Sequence, residues 1–220
     1  MKTLFLIPIV AFLFLSSSIS GQSFEGKTIM KTEVVDAPAE MQKMKSMMET
    51  TMTTWVKGDK SRMETSAPYV GQIVTITDYG KNESVTCMDM MGQKKAIVSS
   101  IDQGNGAPAM PTDIAYKETG NTKKILGRTC HEGVGSYQAA DGKTMTMSMW
   151  YCKEIPYKNT QYPSLSGMPL EYTIYSNGIS MKVTTVEIEE VPVDDAKFII
   201  PSGYERTTPE AMKRAMGGKK

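Results

Sequence analysis

Sulfur carries most of the reactive potential in this sequence. Met41, Met44 and Met47 recur at every third residue, Cys87 is followed by Met88, Met90 and Met91, and Met145, Met147 and Met149 alternate with Thr144, Thr146 and Ser148. Thioethers and thiolates are soft ligands that select copper in its reduced state, so copper binding or buffering by these clusters is one function the spacing allows. A strand with one apolar face makes the same alternation with no metal at all. Flexible Met also fills core space that Leu otherwise fills. The chain has 19 Met but, beyond residue 20, only Leu126, Leu165 and Leu170, which favours packing as the reason for so much sulfur.

Other chemistry finds little support. His131 is the one histidine, so a single chain cannot build a two-histidine metal site. No G-x-S-x-G elbow occurs, and no serine has a base within a recognisable motif. Glu187, Glu189 and Glu190 read as a solvated strand edge rather than an acid and base pair. The expectation is a non-enzymatic chain with no cofactor and no dedicated metal.

The remaining sulfur question is pairing. Cys130 and Cys152 lie equally far from Asp141, eleven residues on either side, so a hairpin centred there sets them opposite each other. In an oxidising compartment such a pair forms a disulfide, and that bridge is expected here. Cys87 is then left over, either as a small buried hydrophobe or as a reactive thiol or soft ligand.

The elements that must position these groups are strands. Period-two alternation rich in Thr and Val predicts strands over 24–34, 48–56, 72–78, 84–90, 94–99, 128–138, 144–154, 170–175 and 179–191, with a return strand through Arg62 and Glu64 after the turn at 57–60. In 179–191 the apolar face shifts from Met181 and Val183 to Val186 and Ile188, which predicts a bulge near Thr184 or Thr185. Pro38 followed by helically spaced Met predicts a short amphipathic helix over 37–47. The stretches 102–113 and 156–169, rich in Gly and Pro, read as long loops that rim a site.

Residues 1–20 have the layout of a secretory signal peptide: Lys2, an apolar run over 4–15, and small residues ending at Ser20, the expected cleavage point. The run is too short for a membrane anchor, so the mature chain is expected to be soluble and periplasmic or secreted. The chain has 25 basic and 24 acidic residues; without Lys2 the two are equal at 24, which argues against a nucleic-acid partner. No linker composition divides 21–208, which reads as one domain followed by a tail over 209–220.

Several phrases resemble an uncharacterised family of exported bacterial proteins, a domain of unknown function similar in plan to periplasmic lipoprotein carriers and outer-membrane lipoprotein receptors. They are Phe24-Glu25-Gly26, Val56-Lys57-Gly58-Asp59-Lys60 with Arg62, Leu126-Gly127-Arg128-Thr129-Cys130, Met149-Trp150-Tyr151, Pro169-Leu170-Glu171 and the run from Phe198 to Tyr204. The resemblance implies a mainly β fold: a strongly curved antiparallel sheet, an unclosed half-barrel with one or two short covering helices. It further implies an apolar concave face that holds a lipid or acyl chain.

On that plan the expected lining is Met48, Met52, Val74, Met88, Met90, Met145, Met147, Met149, Met181 and Val183. The expected role is a binding or carrier protein for an apolar ligand. Copper binding, and an envelope component acting through protein contacts, are the alternatives.

Overall fold

The computed structural model describes residues 24–67, 71–90, 92–101, 114–138, 144–157, 164–176 and 178–217. The expected signal peptide and most of the two expected rim loops lie outside them. Twelve strands form one sheet in the order β12-β6-β5-β4-β3-β2-β1-β11-β10-β9-β8-β7. Their ranges are β1 Gly26–Asp36, β2 Thr51–Lys57, β3 Lys60–Ala67, β4 Gly71–Asp78, β5 Glu83–Met90 and β6 Gln93–Ser100, then β7 Lys117–Ile125, β8 Arg128–Gln138, β9 Thr144–Cys152, β10 Met168–Ser176, β11 Ile179–Glu189 and β12 Glu205–Thr207. Every neighbouring pair is antiparallel except β12 with β6, which is parallel.

Local chemistry explains most of these elements. The β2–β3 hairpin closes on Gly58, whose φ of +57° only glycine adopts without strain. The bulge expected in the last long strand is present: Ile29 pairs with Glu187 but Met30 pairs with Thr185, leaving Val186 as the extra residue. The helical segment after Pro38 is a 3₁₀ turn, Ala39–Met44, running into the single α-turn α1, Lys45–Met48.

Two strands escape the sequence pattern. β7 is almost entirely exposed and polar, so it has no alternation to read. It joins β8 through Leu126 and Gly127, both at positive φ, the two-residue geometry usually filled by Asn-Gly. β12 has only three residues.

The sheet is strongly curved and stays open. Neighbouring strands lie about 4.8 Å apart, so β4 and β10, five steps apart, would be separated by about 24 Å on a flat sheet. Yet Tyr79, just after β4, and Tyr172 on β10 line one cleft. The curl leaves β7 and β12 as unjoined edges.

Both faces of the sheet carry apolar cover. On the side turned away from the cleft, Val74, Ile76, Val85, Cys87 and Ala96 are buried beneath Phe198, Ile200 and Tyr204. On the cleft side, Met147, Met149 and Tyr151 are packed beneath Ile114, Tyr116 and Leu165. Gly133 and Gly135 make that approach possible. A Cβ on Gly135 would stand 2.3 Å from Ile114 Cγ2, and one on Gly133 would stand 3.1 Å from a Leu165 methyl.

Candidate functional site

The curl creates a cleft of about 270 Å³ over the middle of the sheet, at the lower edge of the range for small-molecule pockets. Strand register builds its floor. Thr28 of β1 pairs with Thr54 of β2, Thr54 with Met63 of β3, and Met63 with Thr75 of β4, so these four side chains form one row on one face. Parallel rows add Met30 on one side and Val56, Ser61 and Thr77 on the other. The far wall is Met168, Pro169, Tyr172 and Thr185.

None of the lining residues is charged. Tyr79, Tyr157 and Tyr172 converge on the cleft, and burial pushes the Tyr172 phenol up to about 12. Burial also pushes the Tyr157 phenol well above its ordinary value, and its neighbours Tyr79 and Tyr172 reinforce the shift. The Tyr157 and Tyr172 phenols stay neutral at any physiological pH. Among the described residues, Thr54 Oγ1 is the buried side-chain oxygen with no hydrogen-bond partner. The surface is therefore a mixture of thioethers, methyl groups and neutral hydroxyls. It can desolvate an uncharged group and has no ion with which to receive a charged one.

The residues expected from the sequence to line a site fall elsewhere. Met52 and Met88 lie on the cleft face, Met52 opposite Met30 and Met88 opposite Ile73. Met90 occupies the same strand phase as Met88. Met149 and Val183 flank Tyr172 across β9–β10–β11, but both are wholly buried and belong to the packed interior. Met147 is buried beside them, with Tyr116 Oη donating to its sulfur at 4.0 Å. Met145 pairs with Tyr137 further along β9. Met48, the last residue of α1, and Met181 on β11 pack near Val34 and Ile179. Val74 is on the opposite face, under the 198–204 segment, because the apolar phase of β4 is the one facing away from the cleft.

The ten residues thus do not converge, and the cleft is lined by other methionines, Met30, Met63 and Met168. Their neighbours are threonines, which alternation assigns to a wet face, so periodicity gave no signal for them.

Cys130 and Cys152 are direct partners across β8 and β9, as the hairpin symmetry predicts, and both are fully buried. In this structure both carry free thiols, packed with Phe24, Ile155, Met168 and Leu170. Cys87 is buried in the separate cluster beneath Phe198. Among the described residues, no group of three or more His, Cys, Asp or Glu side chains is arranged to hold a metal ion. No described helix is long and apolar enough to cross a membrane.

No protein-family model matches the chain, and no curated protein matches it. Among solved structures, the chain is similar to lipoprotein LppX of Mycobacterium tuberculosis, at 10% identity and a TM-score of 0.40 over 77% of this chain and 89% of that one. It is also similar to a putative outer membrane lipoprotein-sorting protein domain from Vibrio parahaemolyticus, at 11% identity and a TM-score of 0.36 over 81% and 91%. A LolA superfamily protein, NE2245 from Nitrosomonas europaea, aligns at 12% identity and a TM-score of 0.33 over 82% and 91%.

Proposed function

We propose that this is an exported, non-catalytic binding protein that holds an uncharged apolar or amphiphilic ligand, a lipid or acyl group, in the cleft where the sheet curls. The observation that carries this reading is the lining itself: thioethers, methyls and neutral hydroxyls with no ionised side chain. Methionine suits such a ligand because its unbranched, polarisable side chain adapts to irregular apolar shapes. Hydroxyls of Thr28, Thr54 and Thr75 meet the occasional polar atom of an ester or alcohol without the desolvation cost of a charge. The layout of residues 1–20 supports action in the periplasm or outside the cell.

The test is native mass spectrometry and solvent extraction of freshly purified protein, beside a Met63→Trp variant whose larger side chain fills the middle of the cleft. Bound lipid in the parent and its loss in a folded Met63→Trp chain are the expected results. A parent that emerges empty and takes up no fluorescent acyl probe, or one that carries copper in stoichiometric amount instead, would overturn the proposal.

A further inference from the structure

We propose that Cys130 and Cys152 form a built disulfide site, closed while the β8–β9 hairpin assembles and sealed in the interior once it has. Three observations carry this. The two residues are direct cross-strand partners. In an antiparallel pair, facing Cα atoms lie about 4.5–5.5 Å apart, inside the range that a disulfide spans without moving the backbone. Both side chains have no exposed surface and share one apolar cluster with Phe24, Ile155, Met168 and Leu170, so neither sulfur has another thiol nearby to compete. The remaining cysteine, Cys87, is enclosed with Val74, Ile76, Val85 and Ala96, so mispairing requires both clusters to open.

The order of events follows from access. Burial, with Cys152 alongside, pushes the Cys130 thiol up to about 11. At pH 7 only about one such thiol in ten thousand is the reactive thiolate, and it is shielded from any exchange partner. Oxidation therefore takes place before the strands close. One cysteine, as thiolate, attacks the disulfide of a small or protein-borne oxidant, forming a mixed disulfide and releasing one thiolate. The second cysteine, as thiolate, attacks the protein sulfur of that mixed disulfide and releases the other. The two cysteines lose two electrons and two protons, and the oxidant disulfide is reduced to two thiols.

The experiment refolds the full chain from the reduced, unfolded state in a buffer of reduced and oxidised glutathione, then denatures it, alkylates it with iodoacetamide and measures its mass. One alkylated cysteine, identified as Cys87, and a proteolytic peptide joining Cys130 to Cys152 are expected. In a Cys87→Ser chain no cysteine should be alkylated. The oxidised chain should unfold roughly 6–12 °C above the reduced one, from the loop it closes. Three alkylated cysteines after refolding, a link to Cys87, or an alkylated pair in the Cys87→Ser chain would overturn the proposal. Because the mass is read on the parent chain as well, a variant that does not fold leaves the result decisive.

Discussion

Lys123 Nζ on β7 lies 2.7 Å from Glu171 Oε1 on β10, although β8 and β9 run between those strands. On a flat sheet three strand spacings cover about 14 Å. The lysine crosses over Trp150, with its ammonium 4.2 Å from the ring centroid, and Lys182 approaches the other carboxylate oxygen at 3.2 Å. Burial alone would push the Glu171 carboxyl up; the hydrogen bonds from Lys123 and Lys182 outweigh it and hold the group below its ordinary value of 4.5.

That depressed carboxyl fixes the sign of a pH effect. A group held lower in the folded state contributes stability above its ordinary value and loses it as pH falls through the folded one. Glu171→Gln should cost about 1–2 kcal/mol at pH 7. The gap between the two chains should close as pH is lowered from 4.5 into the acid range. Urea unfolding of both proteins from pH 7 to pH 3 checks this, and a gap that widens in acid would contradict it.

Gly135→Ala tests the cover on the cleft side. The added methyl meets Ile114 Cγ2 at 2.3 Å, with the Ala115 carbonyl oxygen at 3.3 Å behind it. Either the 114–116 segment lifts or β8 shifts. The expected loss is about 1–3 kcal/mol, with protease sensitivity appearing near Ile114. Gly120→Ala meets no atom within 4 Å but takes a residue at φ +85°, so its cost is strain alone and should leave the cover intact.

Thr54→Val separates ligand binding from stability. With its hydroxyl oxygen buried and unpartnered, replacing it by a methyl of the same shape should leave the empty protein unchanged or stabilise it by up to about 1 kcal/mol. If the hydroxyl serves a polar atom of the ligand, affinity should fall while the thermal midpoint does not. Calorimetric titration of an acyl probe alongside thermal melts distinguishes the two.

Arg62 ties the C-terminal segment to the outer face. Its Nη1 donates to the Lys197 carbonyl at 2.9 Å while its Nε donates to Glu64 at 2.7 Å. Arg62→Ala should release the segment from Asp195 to Thr207 before the rest of the sheet unfolds. Hydrogen exchange should show faster amides there and in β6, with β8–β9 unaffected.

Most strands were readable because one of their faces is apolar, and Arg128–Gln138 emerges with its sequence-predicted bounds. Alternation, however, gives only the relative phase of a strand. Val74 and Thr75 could be assigned to opposite faces, but not which face is concave. Since 198–204 covers the apolar side of β4, the threonine side faces the cleft. β7 was illegible for a related reason: as a polar edge strand it has no buried side to set a period. The alternation of Met147 and Met149 with Thr146 and Ser148 puts the two on one face of β9, yet nothing local announces that residues 114–116, far away in the chain, fill the space above them. Packing between distant segments decides pocket against core, and one-dimensional periodicity does not contain it.

The outermost strand pairing imposes an order on synthesis. Lys95 of β6 is held by Glu205 of β12, a partner 110 residues further along. While the polypeptide emerges, β6 offers open hydrogen-bonding groups that no nearby stretch of chain can satisfy. Until β12 arrives, the Lys95–Ile97 edge of β6 has no strand on its outer side, so this flank of the sheet is covered only when nearly the whole chain has been made.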